Sequence, residues 1–465
     1  MKKTLALLMA LSVIMTMTAC QNDTSEEDVA DTSPTIQTSP PHPEPYDPLP
    51  DIELDNTVVK WLSPFSIDYI PGGNTPPSLA LFETKYDGKI EWIKTTDESK
   101  FTDLASLVMS SSSPDLFPAD NMDTHPMGAI KGLFAPIDEY IDFSSDFWED
   151  AAGFCDKFTY KGKHYVAVAD IEPSCICIYN KDTIEACGFD DPAKLLRDGK
   201  WNWNAFEKMC TEFTYPDFDW YALDGWNVEK GIMTSAGVPL IDVVDDTIVS
   251  NVMHPAIEKV QNLMYNLQQN SVLYPRHLLN DGSIRDGIEG AGIASGLQLF
   301  CIADSEVLRK PLSETKQFGD ISDGYIMFVP MPKNPELDYY PIWSKIKGFN
   351  IVSGAQNPQG AAAYINCRRL IATDIYVEEL KLHQLEKECG WTPEMCDMLY
   401  EIKKMAYQNP VFDFSMSVSD ELSSQTDMLT RAVMIPGEKT WDEARDEYAQ
   451  SIDTLVAEAN NALQH

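Results

Sequence analysis

From residue 57 the chain alternates strand-like and helix-like segments, and that alternation leaves few folds open. Residues 57–62 (TVVKWL) are rich in β-branched and aromatic types, and residues 89–94 (KIEWIK) repeat the pattern. Between them Pro76-Pro77 opens a helix with Leu79, Phe82 and Tyr86 on one face. After Ser99, a helix cap by type, Phe101, Leu104, Ala105 and Val108 follow the i, i+3, i+4, i+7 spacing of a helix lying on a sheet. Four serines and Pro114 end that helix, and Asp115-Leu116-Phe117 starts a third strand. Strand–helix–strand order of this kind implies a parallel sheet with helices on its faces, which binds ligands beyond the carboxyl ends of its strands.

The first twenty residues set where this fold operates. Two lysines precede an apolar run from Leu5 to Met15, then small and polar residues and Cys20. A basic start and an apolar core too short to span a bilayer comfortably read as a secretory signal. Met17-Thr18-Ala19-Cys20 resembles a bacterial lipobox, with Met17 where Leu is commoner. That resemblance implies cleavage of 1–19 and a diacylglycerol on Cys20, which would hold the protein on the outer face of the cell membrane. Residues 21–50 contain seven Asp or Glu, seven Pro, seven Ser or Thr and no Lys or Arg. Such a segment buries too little apolar area to offset its chain entropy, so 20–50 is expected to be an extended, disordered tether.

Net charge narrows the partners. The chain carries −38; losing Lys2 and Lys3 with the leader, and seven acids with the linker, leaves −33 on residues 51–465. That surface repels phosphate backbones and anionic headgroups, which excludes nucleic-acid binding and favours neutral or cationic ligands. Beyond Cys20 there are nine cysteines, an odd number, several in apolar runs such as Cys175-Ile176-Cys177-Ile178. A body of this size needs no disulfide framework, so mostly free thiols are expected; Cys389 and Cys396 are a candidate pair that nothing in the sequence compels.

Residues 166–169 and 175–179 read as strands leading into a second, more helical lobe. There Trp203, Phe206, Met209, Cys210 and Phe213 form one apolar stripe, and Ile257, Val260, Leu263, Met264 and Leu267 another. Residues 325–330 (YIMFVP) and 349–352 are strand-like, Pro358 suits a first helical turn, and Thr440-Trp441-Asp442-Glu443 has capping-box spacing. There is no internal repeat.

The order and wording of these pieces resemble the bacterial extracellular solute-binding proteins of the maltose-binding type. The matching segments are LASLVMSSSSPDLFPAD (104–120), GLFAPIDEYID (132–142), ICIYNKDTIEACGF (176–189), GKWNWNAFEKMC (199–210), GYIMFVPMPK (324–333) and GFNIVSGAQNPQGAAAYI (348–365). The resemblance implies an α/β, periplasmic-binding-protein-like fold: two α/β lobes joined by crossover hinge segments, with a ligand cleft between them. Lobe 1 is expected at 51–170 plus 327–375, and lobe 2 at 171–326 plus 376–465. It also implies a monomeric capture subunit that delivers a ligand, here a sugar and by preference an oligosaccharide, to the permease of an ABC transporter. The same fold takes peptides and amines, so those ligands stay open.

A sugar cleft needs flat apolar faces for C–H surfaces and planar polar groups for hydroxyls. Trp61 ends the first strand, where both a cleft and a core position are open. Trp220 and Trp226 lie in an irregular polar stretch, DFDWYALDGW, and Trp343 precedes Gly348. Asp120 and Asn121 follow the third strand and Glu172 lies at the first crossover, places from which side chains of the resembled family reach the cleft. Trp203, leading an apolar helical stripe, is assigned to the core, and Tyr179-Asn180-Lys181 to structure.

Other motifs carry no chemistry. GAGIASG (290–296) resembles a dinucleotide loop, but no clear strand precedes it and its third glycine is displaced. Cys175-x-Cys177 has no second metal pair at a suitable distance, and no Gly-x-Ser-x-Gly elbow occurs. No cofactor, metal or catalytic residue is therefore expected. The abundance of carboxylates keeps an exported glycan-degrading enzyme with paired acids as the alternative.

Overall fold

The computed structural model describes residues 47–67, 75–275, 277–278, 284–285, 290–309, 317–435 and 439–463; the leader, Cys20 and the tether up to residue 46 lie outside them. Two larger sheets, of seven and four strands, form within the body that begins at Pro48, with three two-stranded pairs beside them among the described residues. The first is opened by β1 (Val58–Ser63), α1 (Pro77–Tyr86), β2 (Lys89–Lys94), α2 (Lys100–Met109) and β3 (Leu116–Pro118), with β1 parallel to both β2 and β3. Pro77 occupies the first turn of α1, and Asp87 in the left-handed region ends it. Phe82 of α1 is fully buried, its ring 5.6 Å from Tyr364.

After a short strand β4 (Phe134–Ala135) and the hairpin β5 (Thr159–Tyr160) and β6 (Lys163–His164), strand β7 (Ala167–Pro173) leads out of this sheet. Two residues later β8 (Ile176–Asn180) begins the second sheet. Asn180 caps the next helix by accepting from the Asp182 and Thr183 N–H groups, which explains the Tyr-Asn-Lys-Asp wording as structural. Then come α3 (Trp203–Phe213), β9 (Tyr221–Asp224), α4 (Val228–Thr234), the hairpin β10 (Ile241–Val244) and β11 (Thr247–Ser250), and α5 (Pro255–Gln269). Trp203 is buried at the head of the α3 stripe and donates its indole N–H to Ser235 Oγ at 2.8 Å.

A two-residue strand pair, β12 (His277–Leu278) and β13 (Ile284–Arg285), precedes β14 (Gln298–Ala303) and β15 (Ile326–Val329). The second sheet has the order β15-β8-β14-β9, so the 325–330 strand stays in it and the chain crosses back only after Val329. The 290–296 glycine segment contributes the short helix Gly290–Ser295 ahead of β14.

The crossing ends in β16 (Ile342–Val352), eleven residues long. Its first half pairs with β7 and with β17 (Pro410–Val411); its second half pairs with β3 and β4. Sequence reading placed a strand only at 349–352, because Lys345 and Lys347 break the apolar run. Helix α6 (Pro358–Thr373), with Pro358 in its first turn, packs on α1, β1 and β7, while α7 (Pro393–Gln408) packs on β7, β15 and β16 and so touches both sheets. The closing helix α8 (Trp441–Leu463) begins with the expected reciprocal cap: the Thr440 N–H donates to Glu443 Oε2 at 2.9 Å and the Glu443 N–H to Thr440 Oγ1. Cys389 and Cys396 remain separate thiols. Cys175 is a buried thiol whose pKa burial pushes up to about 12.

Candidate functional site

The carboxyl ends of β3, β7, β9 and β14 and the middle of β16 meet where the chain passes between the sheets. At the end of β3, Asp120 is partly buried and accepts the Gly348 N–H at 3.1 Å. Gly348 sits at a register shift in β16, where a Cβ would lie 2.8 Å from the Ile346 side chain. Burial holds the Asp120 carboxyl above the ordinary carboxylate range, even though Lys347, the Gly348 N–H and Arg368 oppose it.

Glu172 of β7 pairs with Lys347 of β16 at 3.4 Å, across the ribbon that joins the sheets. Burial works to raise the Glu172 carboxyl, but Lys347, Arg309 and Lys403 together hold it below its usual value. Lys347 answers in kind: burial would lower its pKa, and Glu172 with Asp120 keeps it raised. Two residues earlier on the same strand, Lys345 pairs at 2.7 Å with Asp304, the residue that follows β14 in the second sheet. These four charges therefore tie strand ends of both sheets to one crossing strand.

Trp226 comes from the end of β9. Gly225 before it has φ +120°, and a Cβ there would fall 2.2 Å from the Ile302 carbonyl oxygen, so only glycine lets the chain turn against β14 at this point. Asn227 then fixes the turn, its N–H donating to Ile302 O at 3.1 Å and its side chain to Ser174 O at 3.4 Å. Trp226 is left 45% exposed beside the crossover.

The other expected residues are spread more widely. Asn121 is exposed next to Asp120. Trp343 is half-buried, its carbonyl accepting from the Ser174 N–H at 2.7 Å and its ring 5.1 Å from Lys230 Nζ. Trp61 is buried against Phe349 with ring centroids 5.9 Å apart, and donates its indole N–H to Phe65 O at 3.2 Å, just past the end of β1. Trp220 precedes β9 whereas Trp226 follows it, so the strand holds the two indoles at opposite ends of the second sheet.

Sequence reasoning missed Lys345, Lys347 and Asp304. The signal available was the Lys345-x-Lys347 spacing, which puts both side chains on one face of a strand. Among the described residues no three His, Cys, Asp or Glu side chains gather as metal ligands.

Two α/β sheets joined by crossing strands that carry paired carboxylates and lysines are the architecture of a two-lobed ligand-binding protein of the periplasmic-binding type. The model of the bacterial extracellular solute-binding protein family matches residues 79–369, more than half of the chain, and the chain belongs to that family. The protein is thus an exported one. No curated protein sequence matches the chain.

Solved structures with the same fold include the sugar-binding protein MalE from Xanthomonas citri (14% identity, covering 86% of this chain and 98% of that one, TM-score 0.63). An ABC transporter solute-binding protein from Thermotoga lettingae TMO bound with alpha-D-tagatose is similar at 16% identity, covering 86% and 100%, TM-score 0.57. The galacto-N-biose/lacto-N-biose I-binding protein of the ABC transporter from Bifidobacterium longum, in complex with lacto-N-biose, is similar at 15% identity, covering 86% and 96%, TM-score 0.57. These neighbours are substrate-binding proteins rather than enzymes.

Proposed function

We propose that this protein captures a sugar, by preference an oligosaccharide, for an ABC importer while tethered to the outer face of the cell membrane through a lipidated Cys20. The observations that carry the ligand class are the Asp120, Glu172 and Lys347 group on the crossing strands and the exposed Trp226, whose neighbour Asn227 is bonded to Ser174 at the crossover. An indole face suits the C–H surface of a pyranose, and carboxylates with an ammonium group suit its hydroxyls. The sugar ligands named for the neighbours support the same class. Lobe 1 is taken as 51–170 plus 330–375 and lobe 2 as 171–329 plus 376–465, the return moved from 327 to after Val329 because β15 pairs in the second sheet, and the lobes close on the ligand by bending at the crossing strands. A useful importer affinity, near micromolar, needs about −8 kcal/mol, within reach of a stacked ring and a set of charge-assisted hydrogen bonds.

Thermal melts of residues 51–465 with mono- and oligosaccharide panels test the reading. Ligand at a hundred times its dissociation constant adds about 2.7 kcal/mol and raises the midpoint by at least about a degree. A shift with one glycan series, without product, supports a sugar-binding protein. No shift with any sugar overturns the ligand class in favour of peptides or amines, and glycan breakdown overturns the binding role in favour of hydrolysis.

A further inference from the structure

At the end of the second sheet remote from the crossover, the corner between α3 and β9 carries aromatic rings that the capture site does not use. Tyr215 and Trp220 exchange two backbone hydrogen bonds, Tyr215 N–H to Trp220 O at 3.0 Å and Trp220 N–H to Tyr215 O at 3.2 Å. A 3₁₀ turn at Pro216–Phe218 and Asp219 in the left-handed region (φ 58°) complete a closed six-residue loop. Phe213, buried at the end of α3, lies nearly parallel beneath Trp220, with centroids 5.8 Å apart and 19° between planes. Tyr215 meets the same indole edge-on at 6.4 Å and 86°. Trp220 is 40% exposed and Phe218, at the tip, 72% exposed.

Solvent-facing rings cost free energy, and a loop closed by backbone pairing and propped from below holds them rigid rather than letting them fold inward. Asp217 and Asp219 flank them within the loop. Lys208 of α3 is paired with Glu212 at 3.9 Å, and among the described residues no cation pairs with Asp217 or Asp219. Two unspent carboxylates beside flat rings repel phosphate and anionic headgroups but accept hydroxyl hydrogen bonds. A neutral polyol with apolar C–H faces satisfies both features, and a long polysaccharide presents such faces repeatedly.

We propose that the loop 215–220, with Trp220 and Phe218 as stacking surfaces and Asp217 and Asp219 as hydroxyl acceptors, is a second binding site for neutral polysaccharide, separate from the site at the crossover. Strand β9 alone separates it from Trp226, roughly 15 Å of extended chain. The platform would hold the protein against a polymer, or against the cell's glycan surroundings, while the crossover site takes short chains.

The test is affinity electrophoresis of the full chain, extracted in non-ionic detergent, through gels containing amylopectin, galactomannan, arabinoxylan or mixed-linkage β-glucan. Retardation by at least one polymer, weakened tenfold or more by Trp220→Ala and by Phe218→Ser but kept in Trp226→Ala, is the expected result. Phe218→Ser changes a solvent-facing tip, so it guards against loss of packing on Phe213 in the tryptophan variant. The oligosaccharide-induced melting shift should persist in both platform variants, which separates failure here from failure of the capture reading. No retardation by any polymer, or retardation equal in all variants, overturns the proposal. So does a dimer in sedimentation that Phe218→Ser dissolves, since the rings would then be a protein contact.

Discussion

The Asp115 carboxylate accepts the backbone N–H of Asn357 at 2.7 Å across 242 residues of sequence. Its other oxygen accepts the Lys60 N–H at 2.8 Å, while Asn357 caps α6 and donates from its amide to the carbonyls of Asn56 and Val58. One carboxylate and one amide thus lock β1, the start of β3 and the head of α6 together.

Replacing Asp115 by Ala would strand two backbone N–H groups at a buried position, at a cost of about 3 kcal/mol. Urea unfolding should show a midpoint displaced accordingly with an unchanged slope. Ligand affinity, measured where both proteins are folded, should stay the same, because Asp115 lies at the opening of β3 and Asp120 beyond its end.

Trp226→Ala should weaken sugar binding at least tenfold while moving the melting midpoint little, since the side chain stands half in solvent. Calorimetric titration beside a thermal melt reads both. A loss of stability matching the loss of binding would return Trp226 to the core.

Asp120 gives a stability dependence of unusual sign for a carboxyl. Its pKa is raised on folding by burial, so its ionisation is disfavoured in the folded protein. The contribution is intact below its unfolded pKa and is lost as pH rises through the folded value. Asp120→Asn keeps an acceptor for the Gly348 N–H but cannot ionise. Its melting midpoint should match the parent in acid and exceed it by roughly a degree or two at neutral pH. Sugar affinity should fall in the same variant, the pattern of a site whose function is kept at some expense in stability.

Cys20→Ser should move the protein from the membrane fraction into the medium or soluble fraction. Continued tethering of the serine variant would remove lipidation at Cys20 as the anchor.

The fold was largely legible because its signals are local. Paired prolines open α1, Asn180 and Asn202 cap their helices, and apolar spacing of 3.6 marks α3 and α5. Even the Pro114-Asp115 and Asn357-Pro358 wording proves to be the two ends of one structural lock. Of the charged groups in the candidate site, Asp120 and Glu172 were legible but their partners Lys347, Lys345 and Asp304 were not. Glu172 and Lys347 are brought together by antiparallel pairing of strands far apart in sequence, and alternating lysines in a strand read equally well as a solvated face. The indoles posed a similar difficulty. Sequence marks Trp220 and Trp226 as irregularly placed, but only the strand between them shows that they stand at opposite ends of a sheet.

Strand β16 also governs when the first sheet can close. Leu116 of β3 pairs with Ile351, so the first sheet has an open edge in every nascent chain that ends before that residue. A chain emerging from the amino terminus has most of its length outside the ribosome before β3 gains its second neighbour. Pairing across so many residues closes late and slowly. A polypeptide built this way keeps its first sheet unsealed through most of its synthesis, the state that suits a chain threaded across a membrane.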